Sequence, residues 1–280
     1  VKPGLAAAFA EELKHVTASI GLDVDIDSCE KDEDVIDADI VLISAGTPRP
    51  PGVKMNRRDL AIQNAKIIKQ VSEATVSNNS GAKYVVITNP VDAMAMVCKK
   101  YTRANFVIST GTNLESLRFR ACLSHKLKVP VSQVRGWVGG EHGDAAIPLW
   151  STTKVFNLPL EEFINSKDIV LDRNEIVSYV REVSRFIIEN IGGTEFGPAA
   201  SFRDIINAIV KNTGEILPVA SPIRIEGIPE PTFVGIPMHL GSTVGSSMYD
   251  DLSQNEQDGI GEAAGAIYQT YLIALEALER

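Results

Sequence analysis

Apolar side chains at Leu5, Ala8, Phe9, Leu13 and Val16 recur every three to four residues, which predicts a helix over residues 4–18. Val24 and Ile26 alternate with acidic residues and predict a short strand. Residues 37–46 (DADIVLISAG) form a nearly unbroken apolar run ending at Gly46, as a strand buried on both faces of a parallel sheet does. The next segment, Thr47 to Gly52 (TPRPPG), suits neither helix nor central strand. A long helix over residues 57–76 follows, with Leu60, Ile62, Ala65, Ile68 and Val71 as its buried positions. Residues 83–88 (KYVVIT) predict another buried strand ending at Asn89-Pro90. A helix over 91–101 and a short strand over 106–108 come next.

Strands alternating with helices predict a parallel α/β sheet, and ligands bind such sheets at the carboxyl ends of the strands. Gly46, Asn89 and Thr110 therefore point to one rim. The second half reads as α+β. It holds a helix over 114–127, the Gly-rich segment 136–144, helices over 172–190 and 195–212, and strands over 216–225, 231–237 and 243–248. A final helix carries Ile260, Ala264, Ile267, Tyr271, Leu275 and Leu278 on one face. The expected division is a dinucleotide-binding domain over 1–112 and a substrate domain over 113–280.

The 280 residues are 44% hydrophobic and 22% charged, enough for a sizeable core. No apolar run approaches the ~20 residues of a membrane span. Lys and Arg number 27 against 36 Asp and Glu, a net charge of −9, which argues against nucleic acid or anionic membrane as a partner. An anionic small substrate stays open, because a few arginines make a local basic pocket. Cys29, Cys98 and Cys122 contain no CxxC pair, so neither a disulfide framework nor a zinc site is indicated. They read as buried thiols of a reducing, cytoplasmic compartment. The four histidines are scattered, and no metal site is expected.

Three features bear candidate chemistry. Arg49 lies in the proline-stiffened loop between Gly46 and Gly52, and Arg57 stands where the following helix begins. Together they form either a lid over the rim or a solvated turn. His142, in Gly139-Gly-Glu-His-Gly-Asp144, suits proton transfer if a carboxylate fixes its tautomer. Glu115 and Arg118 share a helix face at i and i+3, as a functional pair or a surface ion pair. His15 and His125 read as solvated helix residues and His239 as a loop residue.

Taken in order, residues 45–52 (AGTPRPPG), 57–60 (RRDL), 64–65 (NA), 87–92 (ITNPVD), 114–120 (LESLRFR) and 140–144 (GEHGD) form a set at close to family spacing. The chain resembles the lactate/malate dehydrogenase family, most nearly its archaeal-type malate dehydrogenase branch, over essentially its whole length. The resemblance implies a Rossmann-type sheet domain, NAD or NADP as cofactor, and a malate/oxaloacetate substrate in a homodimer or homotetramer. It makes His142 the proton donor and acceptor, with Glu115 as its orienting carboxylate. Arg57 would polarise the C2 carbonyl, Arg118 would bind the C1 carboxylate, and Arg49 would pair the distal carboxylate and so select a dicarboxylate. Asn89 would touch substrate and nicotinamide, and Gly46, Asn64, Ile87, Thr88 and Thr194 would line the cofactor side.

Two departures accompany the resemblance. Glu115 stands where the family has Asp, so a carboxylate is kept with one more methylene to accommodate. No GxGxxG turn occurs in the sequence, although the family opens with a βαβ unit that carries it together with the NAD/NADP selector. The expectation is that such a unit precedes Val1 in the natural protein; a truncated, non-catalytic paralogue is the other reading. A dehydrogenase of another anionic 2-hydroxy acid, of lactate or sulfolactate type, is the remaining alternative.

Overall fold

The computed structural model describes residues 2–47, 57–143 and 145–279, apart from the side chains of Arg57 and Arg58. In chain order the first half comprises α1 (Leu5–Ser19), β1 (Ile40–Ile43), α2 (Arg57–Val76), β2 (Lys83–Val86), α3 (Val91–Thr102) and β3 (Val107–Ser109). The second half begins with α4 (Asn113–Leu127), β4 (Val134–Arg135), β5 (Val138–Gly140), β6 (Ala146–Pro148), β7 (Lys154–Val155), β8 (Leu158–Pro159) and α5 (Leu160–Ser166). It ends with α6 (Arg173–Ile191), α7 (Phe196–Lys211), β9 (Glu215–Ile223), β10 (Thr232–Leu240), β11 (Val244–Ser247) and α8 (Gln254–Glu279).

Among the described residues the large sheet runs β1-β2-β3-β9-β10-β5-β6, with β11 on β10. β1, β2 and β3 are parallel, as the α/β alternation predicts. β9 joins β3 antiparallel at Ser109 and Ala220, so both halves of the chain share one sheet. β4, β7 and β8 form a small second sheet.

The core follows the sequence periodicity. In α2, Leu60, Ala61, Ala65 and Ile68 are buried. In α8, Ile260, Ala264, Ile267 and Tyr271 are buried, with Leu275 and Leu278 packed against them. A second cluster gathers Phe119 and Leu123 of α4, Val138 of β5, Leu160 of α5, and Ile176 and Val180 of α6. It braces the helix carrying Glu115 against the strand that leads to His142. α6 starts cleanly because the Asp172 carboxylate accepts from the N–H groups of Asn174 and Glu175.

Several expectations are corrected. Val24 and Ile26 form no strand; among the described residues no strand pairs with the backbone there, and a strand needs a partner. α1 is a helix as predicted, but its apolar positions are not core: Phe9, Leu13 and Val16 are at least half exposed, and of its residues only Ala10 is buried. Cys29 is exposed, while Cys98 and Cys122 are buried. His239 lies on β10 rather than in a loop, with its ring Nδ1 at 2.9 Å from the Gly214 carbonyl. His15 and His125 are solvent-exposed as expected.

Candidate active site

The rim is built at the carboxyl ends of β1, β2 and β3. Residues 44–47 leave β1, residues 87–90 leave β2 through a cis Asn89–Pro90 bond, and residues 110–112 lead from β3 into α4. Asn64 of α2, fully buried, ties the first two segments together. Its Oδ1 accepts from the Thr47 N–H at 2.7 Å and its Nδ2 donates to the Asn89 carbonyl at 2.6 Å. The Thr88 hydroxyl donates to the Ala45 carbonyl at 2.8 Å. The polar groups of Asn64 and Thr88 are thus engaged in holding the rim. The Asn89 side chain is exposed on it, and Ile87 is half-buried beside it.

Gly46 is placed by close approach: a Cβ there would lie 2.6 Å from Thr88 Cγ2 and 3.3 Å from Asn64 Oδ1. The backbone can run flat along the rim only without a side chain. The predicted positions Gly46, Asn64, Ile87, Thr88 and Asn89 therefore come together. Thr194 sits half-buried in the connection between α6 and α7, and among the described residues no hydrogen bond joins it to this rim. Arg49 lies outside the described residues. Arg57 opens α2, which starts at the end of the segment leading from the rim, and its side chain also lies outside them.

The second part of the site is assembled from α4 and the β5–β6 hairpin. Glu115 stands in the first turn of α4, where the helix dipole favours an anion, and is 2% exposed. Arg118 follows one turn later, its guanidinium 3.4 Å from Glu115 Oε1. His142 sits at the hairpin tip, and its ring Nδ1 lies 3.0 Å from Glu115 Oε1 and 3.1 Å from Oε2. Two elements far apart in sequence thus give one carboxylate a histidine and an arginine as partners. The hairpin reaches this position because Gly140 takes φ +88°, and because its backbone pairs closely with Gly235 of β10. A Cβ on Gly140 would lie 2.4 Å from the Ala145 carbonyl oxygen.

The charges reinforce one another. Burial alone would raise the Glu115 pKa, but His142 and Arg118 outweigh it and hold the carboxyl below the usual range. The Glu115 charge raises the His142 pKa above 6.5 against the opposing effect of burial. With Nδ1 facing Glu115, Nε2 is the nitrogen left to exchange a proton with a substrate. Arg118 spends one of its donors on Glu115, and among the described residues the rest of its planar fork is kept free.

Asp92, near the start of α3, is a participant that sequence reasoning passed over. It is 2% exposed and accepts from the backbone N–H of His142 at 3.2 Å. Its signal was available: an acid set among Val91, Ala93, Met94 and Ala95, where a helix face is otherwise apolar. No group of His, Cys, Asp and Glu able to hold a metal ion occurs among the described residues.

Family profiles account for both halves of the chain. That of the lactate/malate dehydrogenase NAD binding domain matches residues 2–106, and that of the lactate/malate dehydrogenase alpha/beta C-terminal domain matches 112–269. The chain belongs to the lactate/malate dehydrogenase family. Within this family it is 37% identical to the malate dehydrogenase of Sulfolobus acidocaldarius over 280 residues, 100% of this chain and 88% of that protein. It is also 37% identical to an L-2-hydroxycarboxylate dehydrogenase (NAD(P)(+)) of Methanocaldococcus jannaschii over 220 residues, 76% of this chain and 68% of that one. The crystal structure of Cryptosporidium parvum malate dehydrogenase superposes with a TM-score of 0.89 at 30% identity, covering 98% of this chain and 88% of that one.

Proposed function

We propose that this protein is an NAD(P)-dependent malate dehydrogenase, interconverting malate and oxaloacetate. The observation that carries the reading is the shared Glu115 carboxylate, which pairs a proton-transfer histidine with an anion-binding arginine beside a cofactor rim. A close backbone passage at Gly46 and an exposed amide at Asn89 suit the nicotinamide end of a dinucleotide. No Gly-rich turn for the pyrophosphate occurs in this sequence. Bound NAD(P)H supplies a hydride to C2 of the substrate.

The chain's own residues do the rest. Arg118 fixes the C1 carboxylate through its free donors, which orients C2. Protonated His142 gives its Nε2 proton to the C2 oxygen in reduction and takes it back in oxidation. Glu115 holds the ring in the required tautomer and stabilises its cation. Arg57 polarises the C2 carbonyl and Arg49 pairs the distal carboxylate; both roles rest on the family resemblance. A division near Thr112 into a nucleotide half and a substrate half accompanies these assignments.

The broader reading, a dehydrogenase of other anionic 2-hydroxy acids, draws support from the likeness to the Methanocaldococcus jannaschii protein. A substrate panel separates the two. Oxidation of NADH or NADPH should proceed with oxaloacetate and be weak with pyruvate, because a monocarboxylate leaves the Arg49 charge unpaired. Arg49→Gln should lower kcat/KM for oxaloacetate by about 10²-fold or more and leave that for pyruvate far less changed. Equal losses on both substrates would mean that Arg49 does not select.

We also propose a homodimer or homotetramer. Phe9, Leu13 and Val16 of α1 are exposed along one helix face, and Phe186 and Ile191 of α6 and Phe196 of α7 are exposed as well. Exposed apolar surface of this extent marks an interaction face. Light scattering should give a mass that is a multiple of 30.3 kDa, and Phe186→Glu with Ile191→Glu should return it to one chain. A monomeric mass for the unchanged protein would reject the assembly. No described helix is long and apolar enough to cross a membrane. Three unpaired cysteines support a reducing compartment, hence the cytoplasm.

A further inference from the structure

A carboxylate as buried as Asp92 is tolerated where hydrogen bonds satisfy it, and both of its oxygens are engaged. Oδ1 accepts from the Ser109 hydroxyl at 2.5 Å, and the Ser109 oxygen accepts from the Gly111 N–H at 3.0 Å. Oδ2 accepts from the His142 N–H at 3.2 Å. Three segments meet on this side chain: the start of α3, the β3–α4 turn that leads to Glu115, and the hairpin tip that carries His142. The tip is hinged by Gly140 and Gly143, both at positive φ. Its internal ties are long, 3.4 Å from the Glu141 N–H to the Ala145 carbonyl and 3.2 Å from the Ala146 N–H to the Gly143 carbonyl. The ring of His142 is thus placed by Glu115, and its backbone by Asp92.

We propose that Asp92 is a positioning residue for proton transfer, clamping the His142 backbone and the β3–α4 turn in one register so that the imidazole and Glu115 stay paired. This rests on the dehydrogenase reading above. The charged groups around Asp92 are His142 and Glu141 on the hairpin, with Glu115 and Arg118 on α4 behind them. Burial pushes the Asp92 carboxyl up to about 6, against the hydrogen bond from Ser109 and the attraction of His142. Asp92 is accordingly ionised in mildly alkaline solution and becomes protonated as the pH falls through that value. Ionised, it helps keep His142 protonated. Removing the charge therefore lowers the His142 pKa, whereas removing the Ser109 hydrogen bond raises that of Asp92.

Asp92→Asn and Ser109→Ala in the full chain test this with two readouts. One is the titration of the His142 Cε1–H resonance, assigned by its loss in His142→Asn. The other is kcat and KM for oxaloacetate with NADH from about pH 5 to about pH 9, the range over which histidine changes charge. Asp92→Asn should lower the His142 midpoint by about one pH unit and shift the alkaline limb of reduction down with it. Its kcat should fall about 10- to 100-fold through misplacement of the ring, more than KM changes. Ser109→Ala should lose less rate in alkaline solution and move the acid limb to higher pH.

Unmoved midpoints and limbs in both variants, with rate losses that track loss of melting temperature, would make Asp92 a purely structural residue. If Asp92→Asn does not fold, the acid limb of Ser109→Ala decides. If the unchanged protein does not reduce oxaloacetate, the dehydrogenase reading fails, and the resonance midpoints alone decide whether Asp92 governs His142.

Discussion

Replacing His142 by Asn is expected to lower kcat for oxaloacetate reduction by about 10²–10⁴-fold, the range a positioned acid–base contributes. Nucleotide affinity, read from nicotinamide fluorescence, should be unchanged. Asn retains a polar group of similar size at the hairpin tip, and the backbone bond to Asp92 does not depend on the ring. The variant therefore removes proton exchange and little else. The pH profile of the unchanged protein adds a directional check. The Glu115 charge raises the His142 pKa above 6.5. Reduction uses the protonated ring and should persist above that value, then fail on an alkaline limb. Malate oxidation uses the neutral ring and should rise through the same limb. Near-normal turnover in His142→Asn would sink the assignment.

The parallel part of the fold was legible because its determinants are local. Strands 40–43 and 83–86 are mainly apolar runs, and the buried faces of α2 and α8 repeat at helical spacing. Among the described residues β1 stands at the sheet edge and leaves Leu42 exposed, so it is not buried on both faces as its run of apolar residues predicts. The rim was legible for the same reason, since parallel strands end where small and polar residues follow apolar ones. The pairing within the site was not. Glu115 and His142 are 27 residues apart on different elements, and what unites them is the closure of the sheet through β9, β10 and β5. Spacing offered Glu115 and Arg118 as a pair, but could not distinguish a surface ion pair from one that also holds an imidazole. Asp92 was passed over because its partners are a backbone N–H and a hydroxyl, which no side-chain motif advertises. The exposed stripe of α1 carries the opposite lesson: amphipathic spacing predicts the helix, and packing decides what its apolar face meets.

Glu115→Gln is expected to cost about 10²–10⁴-fold in kcat/KM for malate oxidation, comparable to the loss when a buried carboxylate partner of a catalytic histidine is neutralised. Two effects combine. The amide can donate to Nδ1, which drives the ring proton to Nε2, the wrong tautomer for accepting a proton from malate. The charge that stabilises the imidazolium is also lost, so the His142 pKa falls and the alkaline limb of reduction moves to lower pH. Arg118 loses its 3.4 Å partner at the same time, so substrate anion should bind no more weakly than before, and the loss should fall on kcat rather than KM. Glu115→Asp separates charge from reach. It restores the residue type the family resemblance leads one to expect, but withdraws the carboxylate by one methylene. The His142 bond depends on charge and on a hairpin that can follow the shortened side chain, so Glu115→Asp should retain most of the turnover and a raised His142 midpoint. The bond to Arg118 is already long and should be lost. Equal damage from Gln and Asp would mean that reach matters more than charge. Full activity in Gln would mean that His142 needs no carboxylate, and the site would lose the observation on which its chemistry was read.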